Sequence, residues 1–338
     1  MKFVIDKHIP ELEERIRRAH PEVEVVPLSR TEITADAVRD ADALIVRTHT
    51  RCNAALLERS RVRLVGTATI GMNHVDTEWC RNNGILAVNA PGCNAPAVMQ
   101  YVAASLHAAG FDPRRHTLGV VGKGNIGSIV TALYRRAGAR VLVCDPPRRD
   151  AGFADEDYLP LEQLLAEADA ITFPVPLTRE GPYPTYHLLK PGMISSPKII
   201  VNASRGSVLA PSFLLADTPA HTLIIDTWPF EEEQITLPSS GHAAFTDRAL
   251  IATPHIAGYS LQGKQRATRS MIEALNGFFG LHIGTEGLTD YDFRNRLPEL
   301  ETVISSYSPQ ADSDIFKGRP DSLEALRDAY PLRQEAGV

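Results

Sequence analysis

Short apolar segments alternate with stretches of helical periodicity over the first 90 residues of the chain. Five segments rich in β-branched and apolar residues predict strands, over 2–5, 23–26, 43–47, 64–69 and 85–89. Between them, apolar positions recur at helical spacing, over 11–19, 53–59 and 76–82. This alternation of strands and helices predicts a parallel sheet covered by helices.

The pattern breaks at residues 90–96, where two prolines and a glycine interrupt the periodicity, and then resumes. An apolar helix is predicted over 98–109, and further strands are predicted over 118–121, 170–173, 199–203, 222–226 and 250–253. A helix over 261–279 is expected to return to the first domain. Beyond residue 284, Tyr, Asp, Ser, Pro and Arg become more frequent and the periodicity weakens.

The 338 residues are enough for two or three domains. The pattern predicts an α/β protein with two parallel-sheet domains, followed by a tail that is either a small C-terminal module or partly flexible. The expected boundaries are 1–92 with 257–283 for the first domain, 93–256 for the second, and 284–338 for the module.

A glycine-rich turn follows the predicted strand at 118–121 and opens an amphipathic helix. Gly122, Gly124 and Gly127 fit the pattern G-x-G-x-x-G. In a dinucleotide-binding Rossmann unit, the first glycine allows a sharp turn, the second lets a pyrophosphate approach the backbone, and the third allows close packing of helix on sheet. The first helical amides, including those of Asn125 and Ile126, would face the phosphates at the positive end of the helix dipole. A purely structural glycine turn is the alternative.

An acidic residue, Asp145, ends the next predicted strand eighteen residues after Gly127. At that position a carboxylate binds the ribose hydroxyls of the adenosine half of a dinucleotide. It would repel a 2′-phosphate, which favours NAD over NADP. Arg148 and Arg149 lie close enough in sequence to keep NADP open.

Charge and composition exclude several other classes of function. A formal net charge of −6 provides no basic surface for nucleic acid or an anionic membrane. No apolar run approaches the length of a membrane span, and charges come too early for a signal peptide. The four cysteines, Cys52, Cys80, Cys93 and Cys144, show no metal-binding spacing. We therefore expect reduced thiols, no metal and a cytoplasmic protein.

Three residues that follow predicted strands of the second domain could carry proton and carboxylate chemistry. They are Arg205, Glu231 and His255. Oxidation of a hydroxy acid needs a cation for the carboxylate, a base for the hydroxyl proton and a partner for that base. Each residue also has a plain alternative: a surface ion pair for the arginine, a solvated acidic loop for the glutamate and a structural role for the histidine.

Two strand ends of the first domain are also candidates for anion binding. Arg47 and Thr48 follow the third predicted strand, and the glycine- and threonine-rich turn at 66–71 follows the fourth. Free amides and hydroxyls in such a turn suit a carboxylate or a phosphate. A turn that only caps the next helix is the alternative.

The motifs around these residues resemble the D-2-hydroxyacid dehydrogenase family. They are NASRG at 202–206, DTW at 226–228 followed by Glu231, and TPHIAGY at 253–259, after GKGNIG at 122–127. The longer stretches VGTATIGMNHVD at 65–76, APGCNAPAV at 90–98, CDPPR at 144–148 and PHIAGYSLQGK at 254–264 extend the resemblance over nearly the whole chain. They point to members that oxidise a phosphorylated four-carbon hydroxy acid in vitamin B6 biosynthesis.

The resemblance implies a flavodoxin-like substrate-binding (lid) domain, an NAD-binding Rossmann domain and a shortened C-terminal dimerisation module, hence a homodimer. Arg205 would bind the substrate carboxylate, His255 would exchange the C2 hydroxyl proton, and Glu231 would hold the imidazole. Besides the glycine-rich turn and Asp145, the residues implied to contact NAD are Ala203, Asp226 and Gly258. The residues implied to contact substrate, besides Arg47, are Thr48, Thr69 and Tyr259.

The chain departs from the family pattern at several positions. Ala210 stands where an aspartate is common, Pro174 and Val175 replace a His-Thr pair, and Glu232 stands where a proline usually follows the catalytic glutamate. A phosphorylated substrate also needs a cation at its far end. Arg47 is the best candidate, with Arg327 or Arg333 of the tail, from the same or a partner subunit, as additional ones.

Two other functions remain open on the sequence. One is oxidation of a different 2-hydroxy acid, of the 3-phosphoglycerate or glyoxylate type. The other is a non-catalytic, NAD-sensing corepressor on the same fold, because one fold hosts both kinds of protein.

Overall fold

The computed structural model describes residues 1–217 and 220–337. The strands within these residues follow the predicted pattern, with ends that shift by one or two residues. In chain order they are β1 Lys2–Asp6, β2 Glu24–Leu28, β3 Ala43–Val46, β4 Leu64–Thr67, β5 Leu86–Val88, β6 Thr117–Val121, β7 Arg140–Cys144, β8 Ala170–Thr172, β9 Ile199–Asn202, β10 Thr222–Ile225 and β11 Ala249–Ala252.

The helices fill the connections between these strands and the C-terminal region. In chain order they are α1 Leu12–Ala19, α2 Ala35–Val38, α3 Ala54–Leu57, α4 Thr77–Asn82, α5 Ala95–Ala108, α6 Asn125–Arg136, α7 Pro146–Asp150, α8 Leu161–Glu167, α9 Pro211–Leu214, α10 Ala243–Thr246, α11 Leu261–Phe279, α12 Leu300–Ser305, α13 Pro309–Lys317 and α14 Leu323–Asp328.

The chain divides into two compact units, Met1–Asn94 with Ser260–Phe293 and Ala95–Tyr259 with Arg294–Val338. The predicted bounds at 92, 256 and 257 lie within three residues of these, whereas the predicted end of the first domain, 283, lies ten residues before Phe293. Residues 284–338, predicted as a module of their own, form no third unit within the described residues. Residues 284–293 belong to the first unit, and those from Arg294 onward belong to the second, where α12 packs against α5 and α13 against β11. Thr218, Pro219 and Val338 belong to predicted domains but lie outside the described residues.

The first unit is built on a parallel sheet in the order β2-β1-β3-β4-β5. This is the order of flavodoxin-like sheets, and it reverses between β1 and β3. Pro27 is tolerated in β2 because that strand lies at the sheet edge. At the reversal point, Asp6 ends β1 and Arg47 follows β3, the place where ligands of such sheets bind.

Helix α11 completes the first unit by packing on this sheet. Its buried residues Met271, Ile272 and Leu275 join the core formed by β1, β3 and β4. A side chain at Gly66 in β4 would come within 2.8 Å of the Met271 sulfur, so the glycine lets the helix approach. The Ser260 hydroxyl caps the helix by accepting a hydrogen bond from the Gly263 amide at 2.9 Å.

The second unit contains a parallel sheet in the order β11-β10-β9-β8-β6-β7. The order reverses between β6 and β8, as in a doubly wound Rossmann sheet, which confirms the predicted fold class. The carboxyl ends of β9, β10 and β11 lie side by side. The loops that carry Arg205, Glu231 and His255 therefore leave neighbouring strands at one edge of the sheet.

The glycine-rich turn after β6 has the geometry that its sequence predicts. Gly122 has a φ of 98°, a left-handed conformation that favours glycine. A Cβ on Gly127 would lie 1.9 Å from the Gly122 carbonyl oxygen. At Gly124, by contrast, no described atom would lie within 4 Å of an added Cβ, so this glycine leaves open space beside the backbone.

These two glycines offer a matched pair of substitutions. Gly127→Ala should lower the free energy of unfolding by about 1–3 kcal/mol, because the methyl group overlaps the preceding backbone. Gly124→Ala should change it by less than about 0.5 kcal/mol. Thermal and urea denaturation of the two variants measure the difference. Equal destabilisation by both would contradict this description of the turn.

Candidate active site

The loop after β9 places Arg205, and the side chain of Asn202 shapes it. The Asn202 amide nitrogen donates to the Arg205 carbonyl at 2.8 Å, and its amide oxygen accepts from the Ser204 hydroxyl at 3.0 Å. Asn202 is fully buried, so these bonds satisfy polar atoms that water cannot reach. Arg205 is left half-buried at the end of the strand, and its guanidinium donates to the Ser204 carbonyl at 2.7 Å.

Gly206 brings this loop against the loop after β10. A Cβ on Gly206 would lie 2.0 Å from the carbonyl carbon of Trp228. Only glycine therefore allows the two backbones to come this close. Trp228 itself is completely buried, and its indole N–H donates to the Thr253 carbonyl at 2.9 Å, which ties the second loop to the third.

Glu231 lies in a short helical turn, Pro229–Glu231, that follows Trp228. One carboxylate oxygen accepts the Trp228 backbone N–H at 2.8 Å. The other oxygen faces Nδ1 of His255 at 2.7 Å. The backbone thus orients the carboxylate toward the imidazole.

His255 occupies a left-handed backbone conformation, with a φ of 59°. Such a conformation is costly for a residue with a side chain, and residues that adopt it cluster at functional sites. The buried Asp226 supports it. The Asp226 backbone carbonyl accepts the His255 N–H at 2.8 Å, and its carboxylate accepts the N–H groups of Ile256 at 2.8 Å and Ala257 at 2.9 Å.

The Glu231–His255 pair is only partly exposed, with 12% of the glutamate side chain and 32% of the histidine side chain accessible to water. Burial alone would lower the pKa of His255, but the charges of Glu231 and Asp226 outweigh it, so the pKa of the imidazole is raised. Burial likewise opposes ionisation of Glu231, but His255 and the Trp228 N–H hold its pKa below the usual range. Because Nδ1 is bonded to the carboxylate, Nε2 is the nitrogen that can exchange a proton with a substrate.

The next residue, Glu232, also belongs to the site, which sequence reasoning missed. Its carboxylate accepts the Ser207 N–H at 2.9 Å and lies 3.9 Å from Nε of Arg205. Burial raises the pKa of Glu232, while the charges of Arg205 and His255 partly oppose that rise. The Glu232 carboxylate therefore interacts electrostatically with both Arg205 and His255.

Glu233 faces a different set of partners, so these three glutamates are not a solvated acidic loop. Its carboxylate accepts from the Tyr186 hydroxyl at 2.5 Å, from the Ser207 hydroxyl at 2.9 Å and pairs with Nε2 of His187 at 3.0 Å. Nothing in the sequence signals that Glu232 and Glu233 have buried partners of their own.

Two arginines of the tail, Arg327 and Arg333, contact the same region of the second unit. Arg327 lies 3.6 Å from the Glu231 oxygen that is bonded to His255. Arg333 donates to the carbonyls of Ala97 and Ile256, both at 2.9 Å, and to that of Ala257. With its Nε on the Gln100 side chain at 3.0 Å, Arg333 is committed to holding the loop after His255, which removes it as a candidate phosphate contact.

The candidate nucleotide end lies around Asp145, at the end of β7. Its carboxylate accepts the backbone N–H of Lys123 at 2.6 Å and caps α7 through the N–H of Arg148 at 3.0 Å. The Arg148 side chain is bound to the Tyr158 hydroxyl at 2.9 Å and to Asp155 at 3.1 Å. Asp145 is therefore placed beside the glycine-rich turn, and Arg148 is engaged elsewhere.

The other residues predicted to contact the cofactor take varied positions in the second unit. Asn125 and Ile126 open α6, and the Asn125 side-chain oxygen accepts from Arg294 at 2.5 Å. Asp226 is almost completely buried, and its carboxylate accepts hydrogen bonds from the neighbouring loop after β11. Ala203 directly follows β9, and Gly258 lies in the loop after β11, next to Ala257. Their predicted contacts with NAD stay predictions.

The predicted substrate residues of the first unit lie at the carboxyl ends of its strands. Nε of Arg47 donates to the buried Asp6 carboxylate at 3.1 Å. The Thr69 hydroxyl pairs with that of Thr67 at 2.7 Å, which in turn contacts Nε2 of His74 at 3.0 Å. Burial lowers the pKa of His74 to about 4, so this cluster is uncharged at neutral pH. Thr48 lies in the exposed turn after Arg47.

Tyr259, the remaining predicted substrate residue, belongs to the second unit, where its ring stacks edge-on against Tyr330 at 6.2 Å. No group of three potential metal ligands occurs among residues 1–217 and 220–337. In the same residues, no helix is both long and apolar enough to cross a bilayer.

A sequence model of the D-isomer specific 2-hydroxyacid dehydrogenase catalytic domain matches residues 3–316. The chain belongs to this family. Curated relatives span its full length. Erythronate-4-phosphate dehydrogenase of Bacteroides fragilis is 39% identical, covering 100% of this chain and 98% of the relative. The enzyme of that name from Serratia proteamaculans is 38% identical, covering 100% of this chain and 89% of the relative.

Solved structures of the family share the fold at lower identity. The NAD⁺-bound 3-phosphoglycerate dehydrogenase of Entamoeba histolytica is 21% identical, with a TM-score of 0.67, over 86% of this chain and 98% of that chain. The D-lactate dehydrogenase of Aquifex aeolicus, complexed with NAD and lactic acid, is 20% identical, with a TM-score of 0.63, over 82% and 95% of the two chains. The family predicted from the motifs is confirmed.

The pairing of Glu231 with His255 can be tested without substrate. Glu231→Gln should lower the pKa of His255 by about one unit or more, because the amide removes the charge that favours the imidazolium. NMR titration of the imidazole measures this shift. Glu233→Gln is the control, because it removes a charge from the same loop and leaves the carboxylate that contacts His255 in place. An unchanged His255 titration in Glu231→Gln would refute the pairing.

Proposed function

We propose that this family member oxidises 4-phospho-D-erythronate to (R)-3-hydroxy-2-oxo-4-phosphooxybutanoate with NAD, in the biosynthesis of pyridoxal 5′-phosphate. The observation that carries the proposal is the 2.7 Å contact between His255 and Glu231, formed beside the Arg205 loop. The identity of 38–39% to full-length erythronate-4-phosphate dehydrogenases supports this substrate.

The roles of the three residues follow from their chemistry. Arg205 binds the substrate carboxylate, since a guanidinium presents two parallel N–H groups to it. Nε2 of neutral His255 accepts the C2 hydroxyl proton during oxidation and returns it during reduction. Glu231 holds the ring through Nδ1 and stabilises the imidazolium that forms.

The residues at the end of β6 and β7 fit a dinucleotide. Gly124 leaves space at the backbone, α6 begins at the next residue, and the Asp145 carboxylate stands at the neighbouring strand end. Bound NAD supplies the hydride acceptor. The bonds of Arg148 to Tyr158 and Asp155 support NAD over NADP, because this arginine is held away from a 2′-phosphate.

The substrate phosphate needs a cation, and Arg47 is our candidate. It lies at the reversal point of the first sheet, where its Nε is bonded to Asp6 and 29% of its side chain is exposed. The Asp6 bond fixes the guanidinium from one side. Thr48, Thr69 and Tyr259 are the further substrate contacts in this proposal.

We extend the proposal to a cytosolic homodimer. The four cysteines are free and buried, which fits a reducing compartment. The second subunit would contact the C-terminal residues 284–338, as the resemblance to the family implies.

Activity measurements decide the function. Purified protein should oxidise 4-phospho-D-erythronate with NAD at a kcat/KM far above that for 3-phospho-D-glycerate or D-lactate. It should also be far above the kcat/KM for reduction of glyoxylate with NADH. His255→Gln should lower kcat by about 10²- to 10⁴-fold through loss of the base. Arg205→Lys should raise KM and lower kcat, because a lysine loses the bidentate contact. His107→Gln, at an exposed position on α5, is the control and should be fully active.

Two results would contradict the proposal. Higher activity with another 2-hydroxy acid would reassign the substrate within the family. Binding of NADH without turnover of any of these acids would favour a cofactor-sensing protein.

The phosphate contact has its own test. Arg47→Gln should raise KM for 4-phospho-D-erythronate by about ten- to a hundredfold, the equivalent of a charged hydrogen bond of about 1.5–3 kcal/mol. Activity with unphosphorylated D-erythronate should change little. Arg47→Lys keeps a cation beside Asp6 and should lie between wild type and Arg47→Gln. Arg51→Gln, a substitution at an exposed neighbouring position, is the control. Equal loss of activity with both substrates in Arg47→Gln would exclude Arg47 as the phosphate contact.

A further inference from the structure

A cation from the C-terminal tail stands behind the proposed acid–base pair. Arg327, on α14, places a terminal guanidinium nitrogen 3.6 Å from Oε2 of Glu231. The same oxygen is 2.7 Å from Nδ1 of His255. In the second unit, the Glu231 carboxylate therefore contacts the Arg327 guanidinium and the His255 imidazole through the same oxygen.

The guanidinium is held in this position by its own helix. Its other terminal nitrogen donates to both carboxylate oxygens of Glu324, at 3.0 and 2.8 Å, one turn earlier on α14. Only 12% of the Arg327 side chain is exposed, as is 12% of Glu231. Water therefore screens the Arg327–Glu231 interaction far less than it screens a surface ion pair.

We propose that Arg327 is a positioning residue for the acid–base pair. It anchors the Glu231 carboxylate in its ionised form and keeps the carboxylate from binding the imidazolium so tightly that His255 would remain protonated. The inference rests on the proposed function, since it assigns Arg327 a part in the proton exchange of that site. In this proposal the C-terminal tail supports the acid–base pair of its own subunit, in addition to its proposed contact with the second subunit.

The direction of the effect follows from the charges around the ring. The groups that face His255 are Glu231, Asp226 and Glu232, which favour the imidazolium, and Arg327, which disfavours it. Removal of the Arg327 charge favours a proton on His255 and on Glu231 alike. Oxidation needs neutral His255, so the acidic limb of the rate profile must move to higher pH.

The test compares Arg327→Gln and Arg327→Met with wild type. In both variants, the midpoint of the acidic limb of the kcat/KM profile for oxidation of 4-phospho-D-erythronate should shift to higher pH by about 0.5–1 unit. NMR titration of His255 in the enzyme without substrate should show a shift of the same sign, assigned by the signal lost in His255→Gln. Arg319→Gln, an exposed arginine of the same tail, is the control and should match wild type in both measurements.

Arg327→Lys keeps a positive charge on the helix but shortens its reach, so its acidic limb should lie between those of wild type and the neutral variants. This variant carries the test if the neutral variants do not fold, as judged by circular dichroism and thermal melting. In that case a folded lysine variant with a lower kcat and an unmoved acidic limb would assign Arg327 a structural role only and overturn the proposal.

With folded neutral variants, a lower kcat and an unmoved acidic limb would also overturn it, because loss of packing lowers activity without moving a titration. The NMR arm separates this inference from the proposed function. A shifted His255 titration in a protein that oxidises none of the acids would refute the function and leave the Arg327–Glu231–His255 coupling standing.

Discussion

The site depends on one buried carboxylate, that of Asp226, which does no proton transfer itself. It lies at the end of β10 and accepts hydrogen bonds from the amides of Ile256 and Ala257 and from the Thr253 hydroxyl. Hydrogen bonds to a charged acceptor contribute about 1.5–3 kcal/mol each. They offset the cost of burying Asp226, whose pKa is raised by that burial, and the cost of about 1–3 kcal/mol for the left-handed His255.

The sheet supplies the second condition, because strands β9, β10 and β11 are adjacent and parallel. Neighbouring strands lie about 4.8 Å apart, so residues that leave their carboxyl ends are close in space whatever their separation in sequence. Gly206 and Trp228 then bring the first two loops into direct contact. A rigid frame of this kind sets the imidazole and carboxylate without help from a substrate.

Charge in the site is distributed over more groups than a catalytic triad. Glu231 lies 2.7 Å from His255, Glu232 lies 3.9 Å from Arg205, and Glu233 binds a separate hydroxyl and imidazole cluster. The tail adds contacts from outside the sheet, with Arg327 behind Glu231 and Arg333 on the carbonyls that follow His255. The pH response of such a site belongs to the whole cluster, since each group shifts the others.

The sequence alone determined the local elements and the chemistry at strand ends. Apolar periodicity predicted both sheets, the G-x-G-x-x-G spacing predicted the nucleotide turn, and the positions of Arg205 and His255 after predicted strands marked the site. These features depend on residues close together along the chain, so their pattern is visible without a fold.

Tertiary structure alone decided what the two glutamates after Glu231 bind, and that the tail packs on α5 and the edge strand β11. It also decided that Arg333 binds backbone carbonyls while Arg327 stands behind Glu231. Identical side chains in a run, and an arginine such as Arg333 that is 76 to 236 residues from the carbonyls it binds, carry no periodic signal. Their pairings are set by the register of the sheet and by the packing of α12, α13 and α14. Both depend on contacts between distant parts of the chain, which form only when the chain folds.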